Sequence, residues 1–449
     1  MRTLIDQAMD LEQGHVTSRE LVEAALARIA DPDGEGRRTF LAVEAEAARA
    51  SADAMDLLRR AGRAPGPYAG LPLSVKDLFD VAGETTAAGS RVLQGAAPAG
   101  RHAPVVARML AAGFVPVGRT NMVEFAFSGL GMNPHWGTPQ APWERGIDGG
   151  RVPGGSSSGA AVSVADGMAA VALGTDTGGS CRIPAAFCGI VGYKPTARRV
   201  PTDGVLPLSH TLDSVGPLAA SVRCCAAVDA ILAGEAPRAM PSLPLAGLRF
   251  AVPTSVVLEG MDDAVAFAFD RALSLLAGAG AQVTRAAFPQ LERILRANAT
   301  GGFTAPEAYA WHRDLLRAQA DAYDPLVRVR IERGEAMRAH EYIELLGARA
   351  AIIASMDTAA APFDALLMPT APVVPPRIEA MRDPAEYTRV NALVLRNPAL
   401  ANFLDRCSIS LPMHQGDEPP AGLMLVGQTG GDHQLFSVAA AVEAALPRQ

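Results

Sequence analysis

The sequence predicts an α/β protein built as one large domain. Along the chain, apolar runs of strand length alternate with longer stretches of helical period, the pattern of helices layered on a sheet. Apolar residues make up 49% of the 449 and charged residues 19%, enough to bury a large core. The 43 glycines and 34 prolines provide for many tight turns around such a sheet.

Residues 1–60 read as helical. Thr17, with Glu20 three positions later, has the form of a capping box, and Val22, Leu26 and Ile29 recur behind it at helical spacing. An Ala- and Glu-rich stretch over about 41–60 predicts a second helix. After the Gly/Pro-rich stretch 62–70 the character changes, and residues 65–233 read as the first part of the core, which carries the sequence motifs. Short apolar runs at 71–75, 114–117, 169–173, 250–252, 365–368, 408–411 and 423–426 predict buried strands. Pro72 and Pro116 weigh against the first two. A helix is expected over 160–170. Residues 234–247, rich in Pro and Gly, form a connector. Residues 255–360 are largely helical and Arg-rich and read as a cap or packing layer, and 361–449 return to the core. No internal repeat is evident.

The net charge is −7, without a basic stripe, arm or tail. Nucleic acid is therefore not an expected partner, because neutralising phosphates takes clustered Lys and Arg. The N-terminal MRTLIDQAMDLEQ carries acidic residues early, unlike a signal peptide. No apolar run approaches the roughly 20 residues of a membrane span. The five cysteines, Cys181, Cys188, Cys224, Cys225 and Cys407, are odd in number and include no CxxC pair, as expected of reduced thiols in a cytoplasmic protein. Neither a metal nor a cofactor is expected.

Three segments concentrate chemistry: 70–77 (GLPLSVKD), 153–159 (PGGSSSG) and 174–184 (GTDTGGSCRIP). Of the 40 Lys and Arg residues, only Lys76 and Lys194 are lysine. Arginine holds charge but cannot be deprotonated usefully, whereas a buried lysine can become a neutral amine base. A lysine at the end of an apolar run therefore suggests proton transfer; an ion pair with Asp77 or Asp80 is the competing account. Ser180 follows Gly178 and Gly179, whose loop can turn backbone N–H groups toward an oxyanion beside an attacking hydroxyl. A Gly-rich turn with Ser180 capping the next helix is one alternative. A phosphate cradle is another, though no Gly-Lys-Ser/Thr follows.

Ser156 lies in a Gly/Ser loop, by itself most often a turn or a helix cap. Residues 155–159 also match GxSxG, the nucleophile elbow, with Ser157 as nucleophile; that motif needs an apolar strand directly before it. What precedes it is DGGRVPG, and the available partners His210, His414 and His433 sit in no motif.

Together with 81–83 (VAG), 89–90 (GS), 118–125 (GRTNMVEF), 368–370 (MPT) and 422–427 (GLMLVG), these segments closely resemble the amidase signature family over nearly the whole chain. The resemblance implies a single domain with a mixed β-sheet core flanked by helices. By motif position, Lys76 resembles the family's catalytic lysine, Ser156 its cis-serine (with a cis peptide before it) and Ser180 its acyl-forming serine. The backbone N–H groups of Thr177, Gly178, Gly179 and Ser180 resemble its oxyanion hole. Ser158 and Ala160 stand where many members have Gly and Ser, beyond the relay serine. The implied reaction is hydrolysis of an amide-type C–N bond in a small or aryl amide, or of a carbamate (urethane) or ester, through an acyl-enzyme on Ser180. Lys76 must then be neutral, its pKa lowered by burial or a nearby cation. The resemblance also admits the glutaminase subunit of a tRNA-dependent amidotransferase, which needs partner subunits. An inactive scaffold would have no need of all three residues.

Asp176 and Arg182 flank the nucleophile loop and read as a structural pair that fixes it. Ser157 either supports the relay by hydrogen bonding or caps the following helix. Met122, Phe125, Phe127 and Met132 are candidates to line an apolar acyl or aryl pocket, or else belong to the core. The expected partner is a small amide or carbamate, with the chain a monomer or homodimer and no nucleic acid or membrane engaged.

Overall fold

Threonine hydroxyls start the first two helices. Thr3 and Asp6 form a capping box on α1 (Leu4–Gln13), and Thr17 and Glu20 form the expected one on α2 (Ser18–Ala30). The computed structural model describes residues 2–446. After the short α3 (Gly36–Thr39) the chain departs from expectation. Phe40–Val43 is a strand, β1, and the second long helix, α4, runs only over Ala45–Arg60. Antiparallel pairing of β1 with residues 118–120 satisfies its backbone groups, and this non-local pairing overrides the helical preference of the stretch.

Ten further strands join β1 in one mixed sheet: β2 (Pro72–Lys76), β3 (Val115–Thr120), β4 (Val171–Thr175), β5 (Val191–Lys194), β6 (Val215–Ala219), β7 (Arg249–Pro253), β8 (Gln282–Ala286), β9 (Ala365–Pro369), β10 (Ser408–Pro412) and β11 (Gly422–Val426). Their order is β1-β3-β2-β4-β6-β5-β10-β11-β9-β7-β8. All seven apolar runs lie on strands. Pro72 is tolerated as the first residue of β2, and Pro116 sits where the β2–β3 register shifts. Three strands lack a signal in the sequence: β5 and β6 carry Gly or Pro inside their apolar runs, and β8 is a polar edge strand inside the stretch read as helical.

Helices α5 (Pro104–Ala111), α6 (Ser158–Ala165), α7 (Arg182–Cys188) and α8 (Val222–Ala233) flank the sheet. The expected helix over 160–170 stops early, because Gly167 takes a φ of 67° and turns the chain into β4. Then follow α9 (Asp263–Gly278), α10 (Pro289–Ala297), α11 (Thr304–Gln319), α12 (Pro325–Glu332), α13 (Ala339–Ala360), α14 (Pro384–Phe403) and α15 (Asp432–Ala445). Side chains alternate across β4. Val171 and Leu173 join a large cluster with Val75, Met109 of α5, Val228 of α8 and Val438 of α15, while Ala172 faces Ala161 of α6 and Ala185 of α7. Over the site, α11 and α12 pack Ala308, Leu316, Val327 and Ile331 onto Met122, Val123 and Phe125. The five cysteines are buried and unpaired, and among the described residues no helix is long and apolar enough to cross a membrane.

One feature of the topology positions the site. β2 lies between β3 and β4, parallel to both. The carboxyl ends of these strands therefore share one sheet edge, where ligand sites of α/β sheets form.

Candidate active site

Lys76 is the last residue of β2 and Thr175 the last of the neighbouring β4, so the parallel pairing alone brings them together. The Lys76 ammonium group is wholly buried and donates to Ser156 Oγ (2.8 Å), Ser157 Oγ (3.0 Å) and Thr175 Oγ1 (2.7 Å). Three hydroxyls, rather than a carboxylate, surround it. Asp77, the suggested ion-pair partner, instead accepts from Arg119 Nε (2.7 Å) and the Gly89 amide (2.9 Å), and Asp80 accepts from Thr86. Burial lowers the lysine pKa to about 8, against an opposing pull from Cys181, Asp176 and Asp213. Lysine rarity alone does not single out Lys76. Lys194 is equally buried, likewise lowered to about 8, and donates to the carbonyl of Pro195 (2.6 Å). Only Lys76 donates to serine hydroxyls.

Ser156 follows a cis peptide after Gly155. Its carbonyl accepts from the Val123 amide (3.1 Å), and the Gly155 amide donates to Gly129 (2.8 Å). A Cβ at Gly155 would come within 2.6 Å of the Gly131 nitrogen, so only glycine lets these loops close on each other. The Ser157 amide donates to the Ser180 carbonyl (3.3 Å), tying the loop of Ser156 to that of Ser180. Ser157 stands at the N-cap of α6, yet its hydroxyl makes no cap hydrogen bond; it serves Lys76 and donates to the Thr175 carbonyl (3.3 Å). The elbow histidines are engaged elsewhere or exposed: His433 meets Glu235, His414 the backbone of Ala421, and His210 is exposed.

The loop between β4 and α7 is built around Asp176. Its carboxylate accepts from the amides of Gly179 (2.8 Å) and Cys181 (3.0 Å), from Arg182 Nε (3.0 Å) and Nη2 (2.8 Å), and from Asn402 Nδ2 (3.0 Å). Burial alone would raise its pKa, but the Arg182 guanidinium and these donors outweigh it and hold the carboxyl well below the usual range. Asp176 and Arg182 are thus a fully buried pair with every oxygen engaged, the arrangement in which such a pair fixes a loop. The Gly179 amide, one of the four expected, is already bonded to Asp176, whereas the amides of Thr177, Gly178 and Ser180 have no protein acceptor among the described residues.

Sequence reasoning misses α14. Its Asn402 and Pro398 anchor Arg182, and its Leu395 lies over Gly178. These residues stand more than two hundred positions from the motif they support and carry no motif of their own. The pocket candidates fare unevenly. Met122 and Phe125 retain no more than 1% of their surface and pack in the core under α11 and α12, so they have none to offer a ligand. Phe127 and Met132 are half-buried, the latter in a different cluster with Leu130 and Tyr387. A groove of about 1150 Å³ opens at the opposite strand ends beside Pro72, Arg28 and Glu443, away from Ser180.

Fold and site together define a hydrolase of carbon–nitrogen bonds. The chain belongs to the amidase family: the model described as Amidase matches residues 20–436. It is 38% identical to a 2-amino-5-chloromuconic acid deaminase of Comamonas testosteroni over 408 residues, 89% of this chain and 86% of that protein. It is 34% identical to a glutamyl-tRNA(Gln) amidotransferase subunit of Chloroflexus aggregans, covering 95% of this chain and 93% of that protein. A crystal structure of an amidase superposes with a TM-score of 0.89 at 32% identity, covering 99% of this chain and all of that one.

Proposed function

We propose that the protein hydrolyses a small amide or carbamate through an acyl-enzyme on Ser180, with Lys76 as base and Ser156 as relay. The observation that carries this reading is a wholly buried amine, lowered to about 8, with a serine hydroxyl at 2.8 Å and no carboxylate within ion-pair reach among the described residues. Neutral Lys76 takes the proton of Ser156 as Ser156 takes that of Ser180, and Ser180 Oγ bonds to the substrate carbonyl carbon. The Thr177, Gly178 and Ser180 amides receive the negative charge that develops on the carbonyl oxygen. As the C–N bond breaks, the proton returns through Ser156 to the leaving nitrogen. Water then attacks the ester by the same relay and frees Ser180. Leu395 and Ala399 lie beside Gly178 and put apolar side chains next to the nucleophile loop, which suits an uncharged acyl group.

The test is a panel of aliphatic amides, anilides, carbamates, esters and glutamine on the parent, Ser180→Ala and Lys76→Ala. Both variants are expected to be inactive; a Ser180→Ala protein at parental activity removes the nucleophile. A fluorophosphonate is expected to label Ser180, and labelling of Ser157 would restore the elbow. Glutamine hydrolysis is the second reading, favoured by the 34% identity to the amidotransferase protein over nearly its full length. Selective turnover of glutamine in the panel would shift the assignment to it. Five buried, unpaired thiols suit a reducing compartment such as the cytoplasm.

A further inference from the structure

We propose that Asp213 is a positioning residue for the oxyanion loop, acting through the side chain of Thr177. The inference rests on the Ser180 reading above. Its basis is register. The antiparallel β4–β6 ladder ends with Thr175 opposite Val215. The ladder then continues beyond the strands: the Asp176 amide donates to the Ser214 carbonyl (2.8 Å) and the Ser214 amide to that of Asp176 (3.1 Å). The next cross-strand pair is Thr177 and Asp213, and Thr177 Oγ1 donates to Asp213 Oδ1 at 2.5 Å. Asp213 Oδ2 meanwhile accepts the amides of Leu208 (2.9 Å) and Ser209 (3.0 Å), which anchors the carboxylate in its own loop.

Two carboxylates therefore hold the nucleophile loop at separate points. Asp176 grips it at Gly179 and Cys181, and Asp213 grips it at Thr177. Between these grips lie the Thr177 and Gly178 amides, whose direction sets the oxyanion hole. The loop of Asp213 is itself fastened to the cap: Glu307 of α11 accepts from Ser209 Oγ (2.6 Å), from the Thr211 amide (3.0 Å) and hydroxyl, and from Tyr342 of α13 (2.6 Å). Among the described residues Asp213 makes no hydrogen bond to Ser180 or Ser156, so it acts by placement.

Charge matters to this grip. The ionisable groups around Asp213 are Lys76 of β2, Asp176 in the nucleophile loop, Glu307 of α11 with Tyr342 of α13 behind it, and the exposed His210 of its own loop. Burial, with Glu307 adding to it, pushes the carboxyl up to about 6. Oδ2 already accepts two amides, so a proton arrives on Oδ1 and removes the charge that strengthens the bond from Thr177.

The experiment compares parent, Asp213→Asn, Thr177→Val and the double variant of the full chain on the best substrate of the panel, with circular dichroism and melting as fold controls. Asp213→Asn is expected to lower kcat about 10- to 100-fold with KM within about threefold, the range for a misplaced donor. Thr177→Val should lose as much, Thr177→Ser clearly less, and the double variant no more than the worse single one. In the parent, log kcat/KM should fall with slope 1 as pH drops through about 8, where Lys76 gains its proton, and steepen over a further step of about 10- to 100-fold around pH 6 before returning to slope 1; Asp213→Asn should keep slope 1 without that step. Parental kcat in folded Asp213→Asn, a rise in KM alone, or additive losses in the double variant would each overturn the proposal. If Asp213→Asn does not fold, a Thr177→Val protein at parental kcat overturns it instead. If Ser180→Ala keeps activity, it is the underlying reading that fails.

Discussion

Replacing Lys76 with methionine makes the stability gap between variant and parent depend on pH in a way the buried amine fixes. In the unfolded chain the amine titrates near 10.5, and in the folded protein at about 8. Between those values the unfolded state holds a proton that the folded state has released, so the parent gains stability as pH rises. Below about 8 both states are protonated, and the folded parent carries the full penalty of a buried ammonium. At about 1.4 kcal/mol per unit of pKa, the parent gains on the order of 3 kcal/mol relative to Lys76→Met on passing from below 8 to above 10.5. Lys194 titrates in both proteins and cancels from the difference. Urea unfolding followed by tryptophan fluorescence at pH 7, 8, 9 and 10 reads the gap directly. A flat gap, or one that closes in the opposite direction, refutes a lowered pKa and with it the neutral base. The same variant is expected to lose about 100-fold or more in kcat at every pH, since the base is gone.

Three further outcomes follow from the packing around the site. Asp176→Asn leaves Arg182 buried without its counter-charge and is expected to cost about 3–5 kcal/mol in denaturant unfolding. Because the folded pKa of Asp176 is depressed, that deficit is complete above the unfolded carboxyl range and shrinks as pH falls through about 4 toward the folded value. Gly179→Ala places a Cβ 2.6 Å from that of Pro398 at a φ of +125°, and a loss of about 1–3 kcal/mol is expected. Gly178→Ala meets only Leu395 at 3.6 Å and Ala399 at 3.9 Å and should melt close to the parent, so equal losses from the two variants would contradict the packing of α14 on this loop. Glu124→Ala strands three donors, Ser90 Oγ, His135 Nε2 and the Asp324 amide, and should destabilise by at least about 2 kcal/mol; an unchanged melting temperature would show that they find other partners.

Local pattern carries much of the fold. Each apolar run between Gly, Pro or charge lies on a strand, because burial on both faces needs such residues whatever their neighbours. The capping box at Thr17 is legible because its two residues lie one helical turn apart. Sequence reading fails where partners lie far along the chain. β1 reads as helix because its pairing with β3 is invisible locally, and β8 escapes notice because a polar edge strand has no hydrophobic alternation to show. Phe125 stays open between pocket wall and core because a sequence does not say which apolar residue a cap helix will cover.

The site divides in the same way. The sequence by itself names Lys76 as an amine that can lose its proton and Ser180 as a hydroxyl beside flexible amides, since both follow from residue chemistry. The motif resemblance adds Ser156. Only the tertiary structure decides which lysine bonds to serine hydroxyls, since Lys76 and Lys194 are equally buried and equally lowered. It also decides that Ser157 serves the amine rather than the helix, that the Gly179 amide belongs to Asp176, and that Asp213, Pro398 and Asn402 hold the loop. The reason is physical. A hydrogen bond is specified by ångströms and angles, and here those are set by strand register and by a helix more than two hundred residues away.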